Sequence, residues 1–191
     1  SYEDLMRVAT ILKGKQVHSD VSLTITPGSK QVYTMIAENG ALADMIAAGA
    51  RMLESACGPC LGMGQAPATG VASVRSFNRN FKGRSGTPDD YVYLASPETC
   101  AATALTGVIT DPRELAREMA YPRVMDPERY LIDTTAIISP SEALRATEIV
   151  RGPNIKPLPV MDPLPETLEA RVVIRVGDNI STDEIMPAGS K

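Results

Sequence analysis

Tryptophan is absent from this chain of 191 residues and phenylalanine occurs only twice, so any core must be aliphatic and alanine-rich, with nine methionines to fill gaps. Cysteine occurs three times, at Cys57, Cys60 and Cys100, too few and too odd in number for a disulfide framework. No stretch approaches the roughly 18 uncharged apolar residues of a membrane span. The greasiest run, Ala41 to Ala50, is interrupted by Asp44, and the chain reads as soluble, with no membrane partner. Positive charge is in deficit: 19 Lys and Arg against 23 Asp and Glu leave a formal net charge of −4. Such a surface repels phosphate backbones and argues against general nucleic-acid binding. Nothing at the amino terminus resembles a signal peptide, so a reducing, cytoplasmic setting is expected. The chain begins without Met and stops at Ala188-Gly189-Ser190-Lys191 with no element to finish it, so a segment of a larger protein is expected.

What is present is globular in composition, with 43% hydrophobic and 22% charged residues, and the length fits one domain plus a remnant. Tyr2 to Lys15 carries Leu5, Met6, Ala9 and Leu12 at helical spacing, with Ser1 as cap and Glu3 and Asp4 in the first turn. Val21 to Thr26 alternates apolar and polar and stops at Pro27-Gly28, which predicts a strand. Helices are predicted near Lys30–Glu38 and Ala41–Ala48, and short strands at Met52–Glu54, Val71–Arg75 and Tyr91–Ala95. Ser96-Pro97-Glu98 is a helix start, and that helix should run to Gly107; Asp111-Pro112 opens another through Glu118. This alternation predicts an α/β fold: a layered α/β/α domain with a mostly parallel sheet.

Composition shifts at Gly152. Pro153, Pro157, Pro159, Pro163 and Pro165 predict an extended tether over 153–169, which would separate a partial α/β domain, 1–152, from a second domain beginning at 170. Arg171 to Val176 is the predicted first strand of that second domain, within 170–191.

Three segments could carry chemistry. Cys57-Gly58-Pro59-Cys60 fits a buried thiol pair, a thiol-redox pair, or half of a zinc or iron–sulfur site. Glycines 58, 62 and 64 oppose the helix that a redox pair needs downstream, and the remaining Cys100 and His18 do not complete a metal site. Cys100 falls in a predicted helix, as core packing, and His18 reads as a surface residue. Ser76 to Arg84 sets Phe77 and Phe81 among Asn78, Arg79, Asn80 and Arg84. It reads either as a solvated basic loop or as a grip on an anion, since guanidinium forks pair with carboxylates. In Gly177 to Pro187, Ser181 or Thr182 simply caps a short helix, with Asp183 and Glu184 favouring its dipole.

Taken in order, these segments resemble the aconitase family. The carriers are Ala56-Cys57-Gly58-Pro59-Cys60-Leu61-Gly62, Ser76–Arg84 and Asp178-Asn179-Ile180-Ser181-Thr182-Asp183, supported by Thr24–Ser29 and Ala95–Glu98. Ser1-Tyr2-Glu3-Asp4 is similar to the residues just after the family's Ser-Cys-Thr-Asn signature. The resemblance implies that Cys57 and Cys60 are two of three thiolate ligands of a [4Fe–4S] cluster, the third lying a few residues before Ser1. It implies that Asn78 positions the cluster or substrate, that Arg79 and Arg84 clamp substrate carboxylates, and that Asp183, at the edge of a swivelling β/α domain, supports a catalytic His outside this chain.

The implied activity is a lyase of the aconitate hydratase type, a place in the tricarboxylic acid cycle, and a tricarboxylate substrate: citrate and isocitrate interconverted through cis-aconitate. An isopropylmalate isomerase or homoaconitase is the alternative within the superfamily. A small thiol-redox or metal-binding module is the alternative of another class. A swivel strand following in the same chain favours the single-chain type, with the remainder of the same polypeptide as partner. Residues 1–191 alone are expected to be inactive.

Overall fold

A computed structural model describes residues 1–115, 123–140 and 148–186. The chain falls into two units, one built on Ser1–Asp133 and the other spanning Thr134–Ile185.

In the first unit, α1 spans Tyr2–Leu12 and opens on a capping box. The Ser1 hydroxyl accepts from the Asp4 amide, and the Asp4 carboxylate accepts in return from the Ser1 backbone. Its periodic apolar positions become the core face: Leu5, Val8, Ala9, Ile11 and Leu12 are buried. Helices α2 (Lys30–Glu38) and α3 (Ala41–Ala47) follow, broken at Asn39-Gly40 as predicted. The Ser29 hydroxyl caps α2 by accepting from the Val32 amide. α4 (Pro97–Thr106) opens on the Ser96 cap and ends at Gly107. It buries Ala101, Ala102 and Ala104, and small side chains of this kind let α4 pack closely against α1. Arg7 of α1 donates to the buried Glu98 of α4 at 2.9 Å, so the helix pair is pinned by an ion pair as well as by burial. The short α5 (Pro112–Leu115) begins where Asp111-Pro112 predicted; its expected continuation to Glu118 lies outside the described residues.

The core gathers Leu5, Val8, Ile11, Leu12, Ile25, Ile36 and Met45 with Ala9, Ala41, Ala48, Ala50 and Ala101. It is aliphatic and alanine-rich, as the aromatic shortage requires. The methionines serve it less than expected: Met35 and Met45 are buried, whereas Met63, Met125, Met161 and Met186 are exposed.

Two parallel two-stranded ladders accompany the helices. β1 (Thr24–Ile25) pairs with β2 (Arg51–Met52), and β3 (Ala72–Arg75) pairs with β4 (Tyr91–Leu94). The α/β class and the parallel pairing agree with expectation, while the single layered sheet is replaced by two separate pairs among the described residues. β1 is shorter than the predicted strand: Leu23 and Ile25 accept from the Arg51 and Leu53 amides across the ladder, whereas the Val21 amide turns back to the His18 carbonyl.

The second unit is almost wholly exposed along its described length. The proline-rich run takes no helix or strand. The predicted strand over 171–176 forms no ladder among the described residues: Val172, Val173 and Ile174 are 81%, 89% and 75% exposed. An extended run becomes a strand only with a partner to take its backbone hydrogen bonds. Beyond it, Ser181 donates from its amide and hydroxyl to Glu184 at 2.8 Å, and one helical turn, α6 (Thr182–Ile185), forms as the sequence predicts.

Candidate functional site

The glycine- and proline-rich segment after β2 is too broken for an α-helix. Only a 3-10 turn, Pro59–Leu61, forms, preceded by Gly58 and closed by Gly62. This turn buries Cys60 at 3% exposure and leaves Cys57 exposed. Hydrogen bonding to Cys60, together with repulsion from it, pushes the Cys57 thiol above its ordinary value, so the two sulfurs lie within reach of each other.

The basic loop after β3 folds onto this turn. Gly62 and Gly86 make the approach possible: a Cβ on Gly62 would lie 2.4 Å from the Ser85 carbonyl oxygen, and one on Gly86 would lie 2.9 Å from the Gly62 Cα. Both glycines have positive φ (84° and 102°), a second reason that no other residue fits. Arg84 is thereby buried, at 6% exposure, and its Nη2 donates to Cys60 Sγ at 2.9 Å. Its guanidinium lies 5.6 Å from the Phe81 ring centroid.

Asp90, just before β4, organises the loop. Its carboxylate accepts from the Gly83 amide at 2.9 Å, from the Ser85 amide at 2.8 Å and from the Ser85 hydroxyl, fixing the backbone on both sides of Arg84. Burial raises this carboxyl's pKa, but the Ser85 and Gly83 hydrogen bonds and the Arg75 charge outweigh burial and hold it below the ordinary value. Arg75, the last residue of β3, is buried as well. It donates from Nη2 to the Pro59 carbonyl at 2.7 Å and lies over the Phe77 ring at 4.7 Å. Burial lowers its pKa, with attraction to Cys60 acting the other way.

Of the expected site residues, then, the structure brings Cys57, Cys60 and Arg84 together. Asn78 and Arg79 are exposed on the same loop, and Asp183 stands in the second unit, half-buried, its amide donating to the Ser181 hydroxyl at 3.1 Å. Arg75, Ser85 and Asp90 were not anticipated. A carboxylate six residues beyond an arginine carries no periodic signal, and only the chain reversal between β3 and β4 makes it a partner. Cys100 is partly buried on α4, and burial pushes its thiol up to about 11, in line with packing rather than reactivity.

Two adjacent sulfurs, one of them buried against guanidinium groups, suit a thiolate-held iron–sulfur cluster: the arginines offset thiolate charge, and the exposed Cys57 leaves the site open. Among the described residues no group of three or more Cys, His, Asp or Glu side chains assembles to hold a metal ion.

The family profile described as "Aconitase family (aconitate hydratase)" matches residues 1–107, more than half of the chain. The chain belongs to the aconitase family. It is 48% identical over 114 residues to 3-isopropylmalate dehydratase large subunit 1 of Methanopyrus kandleri, covering 59% of this chain and 27% of that protein. It is 44% identical over 121 residues to the homoaconitase large subunit of Thermus thermophilus, covering 62% and 29%. It is 34% identical over 185 residues to the mitochondrial homoaconitase of Candida albicans, covering 96% of this chain and 26% of that protein. The aconitase-family chain thus spans between a quarter and a third of these relatives. Their names correct two expectations: they favour the homoaconitase and isopropylmalate alternative over citrate and isocitrate, and they give no support to a place in the tricarboxylic acid cycle. Lyase chemistry and a [4Fe–4S] cluster are general to the family. Among the described residues no helix is long and apolar enough to cross a membrane.

Proposed function

We propose that this chain is the cluster-bearing and linker portion of an iron–sulfur hydro-lyase of the homoaconitase type, which moves a hydroxyl between neighbouring carbons of a polycarboxylate by dehydration and rehydration. The reading rests on the 2.9 Å approach of Arg84 to Cys60, which puts the basic loop and the cysteine turn in one site. Match length favours the mitochondrial homoaconitase pattern over the large-subunit proteins of either name: likeness to the Candida protein runs through 96% of the chain, against 59% for the Methanopyrus and 62% for the Thermus large subunit.

Cys57 and Cys60 hold the [4Fe–4S] cluster, with a third cysteine supplied from before Ser1. When bound, the cluster supplies a Lewis-acidic iron to the substrate's hydroxyl and carboxylate. Asn78 and Arg79, exposed on the loop, orient and clamp the outer carboxylates. Arg84 lies at the Cys60 end, where its guanidinium stabilises negative charge that develops on removal of a proton next to a carboxylate. Residues 1–152 form the cluster domain, 153–169 the tether and 170–191 the start of a swivel domain whose Asp183 supports a histidine elsewhere in the same polypeptide. The free cysteines suit a reducing, cytoplasmic compartment.

The test is hydration of unsaturated acids by the full-length protein after anaerobic cluster reconstitution. cis-Homoaconitate should be turned over faster than cis-aconitate, and the reverse order would return the citrate reading. Cys57→Ser and Cys60→Ser should abolish the visible cluster absorbance, while Cys100→Ser retains it. A cluster surviving both changes at the cysteine turn would sink the assignment.

A further inference from the structure

Arg75 carries more donors than this chain uses. It is 7% exposed, and of its five N–H groups those on Nη2 serve the Pro59 carbonyl at 2.7 Å, while Nε and Nη1 are buried with no hydrogen-bond partner among the described residues. Leaving buried donors unmet is costly, about 1–3 kcal/mol each and more when charged, so a fold that keeps them has an acceptor for them in its working state. Nearby Asp90 spends its oxygens on Gly83 and Ser85 and interacts with Arg75 only through charge. The other electrostatic neighbour is Cys60. Phe77 covers one face of the guanidinium, which leaves it no freedom to turn toward solvent. Arg75 therefore grips the residue before Cys60 with one nitrogen and keeps two others, dry and unsatisfied, beside the cysteine turn.

Building on the proposed cluster site, we propose that Arg75 is a positioning residue: it anchors the Pro59–Cys60 turn and offers Nε–H and Nη1–H to the anionic sulfur that a bound cluster brings there. Hydrogen bonds to sulfur and a buried positive charge both favour the more reduced, more negative cluster. They also slow its loss of iron.

The experiment uses the full-length protein, reconstituted anaerobically with ferrous iron and sulfide, and its Arg75→Met and Arg75→Lys variants. Arg75→Met should shift the cluster's midpoint potential to a more negative value in a titration followed by electron paramagnetic resonance. It should also speed iron loss to a chelator about tenfold. Arg75→Lys should restore most of the potential but not the iron retention, because an ammonium returns the charge without the fork. A potential and an iron-loss rate both unchanged in Arg75→Met would overturn the role toward the cluster.

A second readout needs no cluster. In the apoprotein, alkylation of Cys60 should accelerate in both variants relative to Cys100 on α4, and an unchanged ratio would overturn the anchoring role. If the parent protein takes up no cluster, the proposed function falls, and the alkylation ratio still decides what Arg75 does for the turn.

Discussion

Within the first unit, two regions are held together in opposite ways. The helical layer of α1 to α4 is joined by apolar burial around Leu12, Ile36 and Met45, which are fully buried. The region from Cys57 to Asp90 buries Arg75, Arg84, Ser85 and Asp90 instead, with Cys60 among them. Apolar contacts are forgiving in direction, so the first region tolerates small shifts. Buried polar groups must each meet a partner at a set distance and angle, so the second is unforgiving but can hold a reactive sulfur in one place. The difference teaches where this chain keeps stability and where it keeps chemistry.

The largest effect should come from emptying the helical layer. Leu12→Ala removes a fully buried side chain and should cost about 3–5 kcal/mol in urea unfolding followed by circular dichroism. The native-state alkylation rate of Cys60 should barely move. Parallel loss of Cys60 protection would mean that the two regions are one cooperative whole.

Asp90→Asn attacks the other side and should cost about 2–3 kcal/mol, by weakening acceptance of three hydrogen bonds and removing the charge facing Arg75. Cys60 should become the fastest-gaining site of alkylation. Because the folded-state pKa of Asp90 lies below its unfolded value of about 3.9, its stabilisation is present above that value and is lost as pH falls through the folded one. Protection of Cys60 should thus be level from neutral pH to about 4 and fall below it, and Asp90→Asn should flatten that acid dependence.

The smallest effect is Ser96→Ala, which deletes the acceptor for the Thr99 amide and should cost about 1 kcal/mol. Hydrogen exchange should rise in the first turn of α4 alone, with none at the cysteine turn.

The helical layer was legible because its information is local. The caps at Ser1, Ser29 and Ser96 and the apolar spacing of α1 sit within a few residues of the elements they specify. Cys57, Cys60 and Arg84 were legible as chemistry by residue type and by likeness to a family, but not as a contact. Arg84 meets Cys60 across 24 residues, where the backbones of Gly62 and Gly86 pack against each other. Arg75 and Asp90 stayed invisible for the same reason, since a charged residue at a strand's edge ordinarily reads as solvent-facing. The stretch 171–176 shows the converse limit. Its β-branched run specifies a strand, but a strand is a relation between two segments, and no partner is present among the described residues.

The touching backbones of Gly62 and Gly86 have a consequence for anyone who would borrow this site. The cysteine turn and the arginine loop are cast against each other like two halves of a mould, so neither can be transplanted alone. A graft onto a new scaffold must carry both, along with the aspartate that shapes the second, or the sulfur will arrive without its counter-charge.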